Sequence, residues 1–299
     1  MKITADAEDR ADKVLARHFP EVGRRRIAEL FDEGCVKIGG RRARKGDRVA
    51  AGDVLELSRE PLAGDALRPA PDPDAAARLE VLLERPDVIV IAKPAGMPSQ
   101  PLRAGELGTA ANAIAARFPE CAAIGDDPRD GGLVHRLDVG TSGALVAART
   151  EAAYRALRDA FGAGAVDKQY LAITDGRPVA RECDAPLAQR GKRAAVDHAE
   201  GLAAHTMFAV ERAAAAHALV RCTARTGRMH QVRAHLAYAG APITGDALYG
   251  GAPLAGFDGF FLHAARIALP LADGPLVIEA PEPERFARAR AACELAPEP

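Results

Sequence analysis

The chain has 299 residues, with 40 basic and 41 acidic side chains that leave a formal net charge of −1. This balance excludes a wholly cationic nucleic-acid coat protein but allows a local basic patch, and the length allows one large core with a small accessory domain. Five cysteines without a Cys-x-x-Cys pair argue against a zinc ribbon or a disulfide framework. Because no signal peptide and no apolar run of about 18 residues is found, we expect a cytoplasmic protein that does not enter a membrane.

The first block, from about residue 10 to residue 57, has the pattern of two helices followed by a hairpin. Apolar residues form two helical faces: Val14, Leu15 and Phe19 on the first, and Ile27, Leu30 and Phe31 on the second. Gly34 predicts the end of the second helix, and residues 36–38 and 49–57 are predicted as strands. A proline-rich segment follows. We therefore expect a domain at residues 1–60, a linker at 61–78 and a second domain at 79–299.

Basic side chains are concentrated in this first block. Between residues 24 and 48 there are nine basic and four acidic residues, so the local charge is nine minus four, or +5. We predict RNA-binding residues at the start of the second helix and in the hairpin connection: Arg24, Arg25, Arg26, Arg41 and Arg42. The simpler alternative is a solvated charged face.

Three segments of the first block carry a more specific pattern. They are Arg10-Ala-Asp-Lys-Val-Leu15, Glu33-Gly-Cys-Val-Lys-Ile-Gly-Gly40 and Gly52-Asp-Val-Leu55. With the basic helix between them, they resemble the alpha-L (S4-like) RNA-binding domain. The resemblance implies a basic helix and loop that lie along an RNA backbone, where neutralised phosphates release counterions. Gly23 departs from the family, which usually has Ser before the basic residues.

From Leu79 onward, strands and helices are interleaved without a regular βαβ alternation. The predicted strands are residues 88–91, 144–148, 170–173, 218–223, 260–269 and 276–279. The predicted helices are residues 107–118, 151–161 and 229–239, with a final helix after Phe286. This order predicts an α+β fold around a mixed or antiparallel sheet.

The most informative stretch is Gly132-Leu-Val-His-Arg-Leu-Asp138-Val-Gly-Thr-Ser-Gly143. Apolar residues lie on both sides of its acid, and a Gly-Thr-Ser-Gly turn follows. The pattern predicts that Asp138 leaves a short strand at a sharp turn, which is a common way to hold a side chain at the mouth of a cleft. The alternative is that Asp138 only caps the turn by bonding backbone amides.

Two further clusters are Val166-Asp-Lys-Gln-Tyr170-Leu-Ala172 and Thr226-Gly-Arg-Met-His230-Gln-Val-Arg233. Taken singly, their members have ordinary explanations as a core ring or a helix-surface cation. His230 and His235 are five residues apart rather than four, and no suitable acid lies between them, so we predict no metal site. The sequence also has no Gly-rich phosphate loop.

Together, these clusters resemble the pseudouridine synthases whose catalytic motif is His-Arg-Leu-Asp, over about residues 79–283. The resemblance implies the pseudouridine synthase fold with a catalytic cleft, and an enzyme that isomerises uridine in RNA without a cofactor. The family's catalytic acid, base-stacking ring and arginine partner match Asp138, Tyr170 and Arg233, and Arg136 matches the residue that fills the space left by the flipped base. We also predict RNA or substrate contacts by other members of the motifs: His135, Lys168, Arg228, His230 and Gln231.

The implied chemistry fits these residue types. A uridine in folded RNA has to leave its stack, and stacking on Tyr170 would offset that cost by about 1–3 kcal/mol. Burial disfavours the charged form of Asp138, whereas a guanidinium about 4 Å away stabilises it by roughly 4 kcal/mol at an effective dielectric near 20. The chain departs from the family at Val139-Gly140 and at Ser99-Gln100-Pro101, which replaces the customary His-Pro. Both departures bear on which RNA loop fits.

We predict a substrate in large-subunit ribosomal RNA, because family members with the extra RNA-binding module mostly act there. We expect RNA as the partner and a monomeric protein. The alternatives are a transfer-RNA uridine isomerase of the same family, a non-catalytic RNA-binding or assembly factor, and a carboxylate-based hydrolase that pairs Asp138 with Asp246. The intact acid, ring and arginine argue against the non-catalytic factor.

Overall fold

The computed structural model describes residues 1–19, 22, 24–58, 70–103, 105–271 and 273–295, with residues 24–26 and 29 described by their backbone alone. The chain forms two compact units, Met1–Pro69 and Ala70–Pro299. The first half of the predicted linker, residues 61–69, lies outside the described residues. The predicted boundaries at residues 60 and 79 stay predictions.

The described part of the first unit has two helices and six short strands. They are β1 (Lys2–Thr4), β2 (Asp9–Arg10), α1 (Ala11–His18), α2 (Arg24–Asp32), β3 (Val36–Ile38), β4 (Arg41–Arg42), β5 (Arg48–Val49) and β6 (Val54–Leu57). Strands β1, β6, β3 and β4 form an antiparallel sheet in that order, and β2 pairs with β5. The two predicted helical faces are buried in one shared core.

The predicted single strand over residues 49–57 is wrong, because the chain turns in its middle. Gly52 has a φ of 91°, a left-handed backbone that favours glycine. The Asp53 carboxylate closes the turn by accepting a hydrogen bond from the Ala50 amide at 2.8 Å. Two short strands, β5 and β6, therefore replace the long one.

The described part of the second unit has eleven strands and four α-helices. The strands are β7 (Glu80–Glu84), β8 (Val88–Lys93), β9 (Ser142–Ala148), β10 (Asp167–Asp175), β11 (Glu182–Cys183), β12 (Leu187–Arg190), β13 (Arg193–Val196), β14 (Thr206–Ala213), β15 (His217–Ala224), β16 (Leu262–Leu271) and β17 (Gly274–Glu279). The helices are α3 (Ala110–Arg117), α4 (Glu151–Gly162), α5 (Gln231–Tyr238) and α6 (Glu284–Ala292).

Nine of these strands form one sheet in the order β11, β14, β15, β10, β16, β9, β8 and β7, with β17 paired to β16. Strands β16 and β9 run parallel, and the other pairings described for this sheet are antiparallel. Strands β12 and β13 form a separate hairpin. The predicted α+β class with a mixed sheet is confirmed.

The helices cover both faces of the sheet because strand residues alternate in direction. Val88 and Val90 pack with α4, whereas Ile89 and Ile91 pack with α3. In the same way, α5 packs on one face of β10 and β15, and α6 packs on the other. Tyr170 contacts the clusters of both α3 and α5, so the ring lies on the face that these two helices share.

Two helices begin later than predicted, each for a local reason. Helix α3 starts at Ala110 rather than at residue 107, because the Thr109 hydroxyl accepts from the Asn112 amide and the Asn112 side chain accepts from the Thr109 amide. Helix α5 starts at Gln231 rather than at residue 229, because His230 has a φ of 51° and cannot continue a right-handed helix. By contrast, α6 starts before Phe286, at Glu284.

Candidate active site

Asp138 lies on an irregular loop that enters strand β9. The expected short strand before it is wrong, because only Leu133 pairs in this stretch, through an isolated bridge to Ala147. The backbone turns after the acid, where the Thr141 amide donates to the Asp138 carbonyl at 3.0 Å. The Asp138 side chain itself binds Arg233. The acid is therefore presented by a loop, as expected, but not by a strand end.

The segment after β8 holds this loop from one side. The Ser99 hydroxyl donates to the Leu137 carbonyl at 2.8 Å and accepts from the Leu137 amide at 3.0 Å. The Gly96 amide and the buried Lys93 ammonium both donate to the Val139 carbonyl. Burial lowers the pKa of Lys93 to about 8, and the charge of Asp138 opposes that shift. Ser99, a departure from the family pattern, thus fixes the backbone next to Asp138.

The start of β9 holds the loop from the other side. The His263 Nε2 lies 3.2 Å from the Ala280 carbonyl, which only accepts, so Nδ1 is the acceptor and the Ser142 hydroxyl donates to it at 3.0 Å. Gly143 has a φ of 115°, and a Cβ there would lie 2.2 Å from the Ala264 carbonyl oxygen. The parallel pairing of β9 with β16 therefore requires glycine at position 143.

Arg233, on α5, joins two carboxylates. Its Nη1 donates to Oδ2 of Asp138 at 2.9 Å. Its Nε and Nη2 donate to the two oxygens of Asp246 at 2.7 and 2.9 Å, which is the bidentate geometry of a guanidinium fork. The arginine is 6% exposed and Asp246 2% exposed, so the pair is dry. Arg233 thus has a fixed orientation towards Asp138.

Aromatic rings complete the surroundings of the guanidinium. Its carbon lies 4.3 Å from the centre of the Phe260 ring and 5.0 Å from that of Tyr249. Burial tends to lower the pKa of Arg233, but the hydrogen bonds to Asp246 and Asp138 outweigh it, so the pKa is raised. The arginine therefore stays charged beside the acid.

Tyr170, on β10, lies next to the same acid. It pairs across the sheet with Cys222 on β15 and Ala264 on β16. Burial, together with the negative charge of Asp138, raises the pKa of Tyr170 above its usual value. The ring is therefore neutral and half-buried beside the carboxylate. The structure thus brings together the three side chains that the sequence predicts as catalytic.

Asp246 is the residue of this centre for which the sequence predicted a different role, as the second acid of a hydrolase. Both of its oxygens accept hydrogen bonds from Arg233, so it is a partner of the arginine. The segment around it is tightly packed, since a Cβ at Gly245 would lie 2.2 Å from the Gly259 carbonyl oxygen. The only sequence signal was its place in the glycine-bounded run that follows α5.

The other predicted contacts of the second unit differ in their surroundings. Arg136 is exposed beside the acid, and within the described ranges no hydrogen bond or ion pair engages it. Arg228 is also exposed, and its Nε donates to the Ala203 carbonyl at 2.9 Å. His230 lies close to Asp138, with its Nε2 3.8 Å from Oδ1. These three side chains remain predicted RNA or substrate contacts.

His135 and Lys168 lie together with Phe161 rather than with Asp138. The His135 ring stacks on Phe161 at 4.8 Å, and its Nε2 accepts from the Val146 amide. Burial, with the charge of Lys168, lowers the pKa of His135 to about 3. The Lys168 ammonium lies over the same ring and donates to the Thr226 carbonyl, and burial lowers its pKa to about 8. Both contacts are structural, so nothing in them supports the predicted substrate role.

Gln231 is also committed to the protein. Its side-chain oxygen accepts from the Thr226 hydroxyl and the Arg228 amide, and its nitrogen donates to the His205 carbonyl and the Thr206 hydroxyl. Gln231 therefore fixes the start of α5 against β14. Because the oxygen and the nitrogen of this buried amide are both bonded within the protein, the structure does not support the predicted contact of Gln231 with RNA.

The predicted RNA residues of the first unit fall into three groups. Arg41 is exposed and forms an ion pair with Asp47 at 2.8 Å. Arg42 donates to the Asp32 carbonyl at 2.6 Å, so it caps the end of α2. The backbone of Arg24–Arg26 begins α2, as predicted, whereas their side chains lie outside the described part of the chain.

The described residues lack two other features, a metal-binding cluster and a membrane-spanning helix. No group of three or more His, Cys, Asp or Glu side chains is placed to hold a metal ion. No helix there has the length and apolar character needed to cross a membrane.

The second unit thus combines a mixed sheet with an arginine that bridges two carboxylates, and the first unit carries the basic segment of residues 24–48. Residues 87–238 match the RNA pseudouridylate synthase family, and residues 9–55 match the S4 domain. "Ribosomal large subunit pseudouridine synthase D" of Xanthomonas campestris pv. campestris is 36% identical over 299 residues, covering 93% of this chain and 87% of the relative. The protein of the same name from Yersinia pestis is 32% identical over 277 residues, covering 87% and 82%.

A solved structure agrees with this match. "Human RNA Pseudouridylate Synthase Domain Containing 4" superposes with a TM-score of 0.58 at 22% identity, over 72% of this chain and 93% of that chain, which shows a common fold. The chain belongs to the RNA pseudouridylate synthase family and carries an S4 domain. The predicted family, enzyme class and RNA partner are therefore confirmed.

Proposed function

We propose that the chain isomerises uridine to pseudouridine in large-subunit ribosomal RNA, with Asp138 as the catalytic carboxylate. The observation that carries the proposal is the bridge by which the buried Arg233 holds Asp138 from one side and Asp246 from the other. Arg233 binds Oδ2 of Asp138 and leaves the other oxygen, Oδ1, without a hydrogen bond from the guanidinium. The names of the two relatives, both ribosomal large subunit pseudouridine synthases, support ribosomal RNA as the substrate.

The proposed reaction moves one bond and one proton. The bond between the sugar and nitrogen one of the base breaks, and the base turns. A bond then forms between the sugar and carbon five of the base. Carbon five loses its proton, and the freed nitrogen one gains a proton. Asp138 acts on the sugar, either by attack on the anomeric carbon or by removal of a sugar proton. Both routes need a charged oxygen, which the guanidinium stabilises.

The neighbouring side chains have separate tasks in this proposal. The exposed Arg136 takes the place that the uridine leaves in the RNA stack. Tyr170 stacks on the extruded base, a contact worth about 1–3 kcal/mol. We further propose that the protein works as a monomer in the cytoplasm.

The hydrolase alternative is disfavoured by the surroundings of Asp246. A second catalytic acid would have to exchange protons with a substrate or water. Asp246 is instead buried, and both of its oxygens accept from Arg233. This leaves Asp138 without a second catalytic carboxylate in the centre described above.

The substrate proposal is tested by mapping pseudouridine after carbodiimide modification, in ribosomal and transfer RNA from cells with and without the gene. We expect signals to disappear from large-subunit ribosomal RNA alone, and to return when the gene is restored. Loss confined to transfer RNA would contradict the ribosomal substrate. Unchanged maps of both RNAs would contradict the proposed function.

Neutralising Arg24, Arg25 and Arg26 to glutamine is expected to weaken RNA binding and to flatten its salt dependence. Each phosphate contact that is lost lowers the slope of log affinity against log salt by about 0.7 to 0.9. The measurement is RNA affinity from about 50 to 200 mM salt.

A matched control removes three positive charges from the same unit: Lys2, Lys13 and Arg17. Each of these cations already pairs with a carboxylate, Lys2 with Glu56 and the other two with Asp9. If the two triple variants have equal slopes of log affinity against log salt, the arginine cluster is an ordinary solvated face without a special role in RNA binding.

A further inference from the structure

His230 lies between the catalytic acid and a neighbouring tyrosine. Its Nε2 is 3.8 Å from Oδ1 of Asp138, the oxygen that Arg233 does not bind. Its Nδ1 is 3.1 Å from the hydroxyl of Tyr249. The left-handed backbone of His230, with a φ of 51°, is uncommon for a residue other than glycine. Such strain persists where the surrounding contacts determine it, and it is frequent at functional sites.

The Tyr249 hydroxyl connects His230 to the hairpin formed by β12 and β13, Leu187–Val196. The hydroxyl accepts from the Ala194 amide at 2.8 Å and donates to the Ala194 carbonyl at 3.2 Å. The amide and the carbonyl of this one hairpin residue therefore converge on the tyrosine. A continuous set of contacts runs from the hairpin through Tyr249 and His230 to Asp138.

The single proton of the tyrosine hydroxyl sets the state of the histidine. This proton has two acceptors within reach, the Ala194 carbonyl at 3.2 Å and Nδ1 of His230 at 3.1 Å, and the bond to the carbonyl makes His230 the donor to Tyr249, from Nδ1. A neutral imidazole that donates from Nδ1 has a lone pair at Nε2, the atom that faces Asp138. His230 then donates no hydrogen bond to Oδ1 of Asp138.

Burial is the main reason why the His230 ring stays neutral at neutral pH. Burial lowers the pKa of His230, Arg233 lowers it further, and the carboxylates of Asp138 and Asp246 oppose this. These charged groups come from the acid's loop, from α5 and from the segment after α5, while Tyr249 and the hairpin contribute neutral groups. Protonation at acidic pH would place a hydrogen on Nε2 and let it bond Oδ1.

We propose that His230 and Tyr249 are positioning residues that leave the reactive oxygen of Asp138 free while the Leu187–Val196 hairpin is docked on Tyr249. This inference rests on the proposed function, because it concerns the oxygen that acts on the sugar.

The test uses the full chain and four variants: Tyr249→Phe, His230→Asn, the double variant, and Tyr238→Phe as the matched control. Phenylalanine keeps the ring beside Arg233 and removes only the hydroxyl. Asparagine tolerates the left-handed backbone but lacks the atom that faces Asp138, so water takes its place. The readouts are the single-turnover rate of pseudouridine formation at saturating RNA, the RNA dissociation constant and the melting temperature. Each variant is assayed at a temperature below its own melting temperature.

We expect each single substitution of the pair to slow the single turnover by about 10- to 100-fold, with an RNA dissociation constant within about threefold of that of the original protein. The double variant should be no slower than the slower single variant, since the two residues act in one series. The original protein should lose rate at acidic pH, and this acidic limb should move to lower pH in His230→Asn. Tyr238 is exposed on α5, so Tyr238→Phe should change nothing.

Several outcomes would overturn the inference. These are an unchanged rate in Tyr249→Phe, rate losses that multiply in the double variant, a loss confined to RNA affinity, or an acidic limb at the same pH in His230→Asn as in the original protein. Asp138→Asn in the same assay distinguishes failure of this inference from failure of the proposed function. If it is inactive while Tyr249→Phe is normal, only the present inference fails, whereas an active Asp138→Asn removes the proposed function and the inference with it.

Discussion

Replacement of Asp138 by asparagine is expected to lower the single-turnover rate of pseudouridine formation by at least about 1000-fold. Asparagine has the same shape and can still accept the hydrogen bond from Arg233, but it lacks the negative charge that acts on the sugar. RNA binding should stay within a few-fold of the original, because most of the binding surface is unchanged. The measurements are pseudouridine formed in a single turnover and the RNA dissociation constant.

The matched control is Asp126→Asn in the same unit. Asp126 is exposed, so its substitution makes the same change of charge without touching the centre. This control should convert uridine at the original rate. Equal activity of the two variants would show that Asp138 is not the catalytic acid.

Replacement of Asp246 by alanine is expected to reduce the free energy of unfolding by about 3–5 kcal/mol, because it leaves a buried guanidinium with half of its partners. The reaction should slow as well, since Arg233 then has freedom to turn away from Asp138. Arg233→Lys should have a related effect, because an ammonium cannot bridge two carboxylates with the fork geometry of a guanidinium. Chemical denaturation and single-turnover assays measure the two effects.

An exposed ion pair provides the comparison. Glu151 and Arg155 pair at 2.9 Å on α4, with side chains 52% and 75% exposed. Glu151→Gln should change the free energy of unfolding by less than about 1 kcal/mol. If Asp246→Ala costs no more than this control, the buried bridge does not hold Arg233.

The residues of the candidate active site could be identified from the sequence because their motifs are local. Asp138, Tyr170 and Arg233 each lie in a short run with a specific order of neighbours, and these runs meet in space as the family resemblance implied. Asp246 could not be assigned in this way. Its role depends on which cation the fold brings to it, and an acid in a glycine-bounded loop has the same local appearance when it only caps a turn.

The helices and strands could be predicted where the apolar periodicity is strong, and less well where a single contact decides at which residue a helix begins. Helix α4 was placed almost to the residue, whereas the starts of α3 and α5 depend on a capping threonine and on one left-handed histidine. Strand β7 and the four strands β11 to β14 were not predicted. The roles of Lys93 and Ser99 were also invisible, because they bond backbone carbonyls whose approach is decided by tertiary packing.

The acid's loop is held on both flanks, by Ser99 and Lys93 before it and by Ser142 and Gly143 after it. A carboxylate held in this way cannot move far towards its target. Distortion has to be borne by the nucleic acid, whose backbone must swing a uridine outward to a fixed point. Selection among candidate uridines would then follow the ease with which each RNA segment bends and unstacks, and weakly structured loops would be modified ahead of rigid duplex.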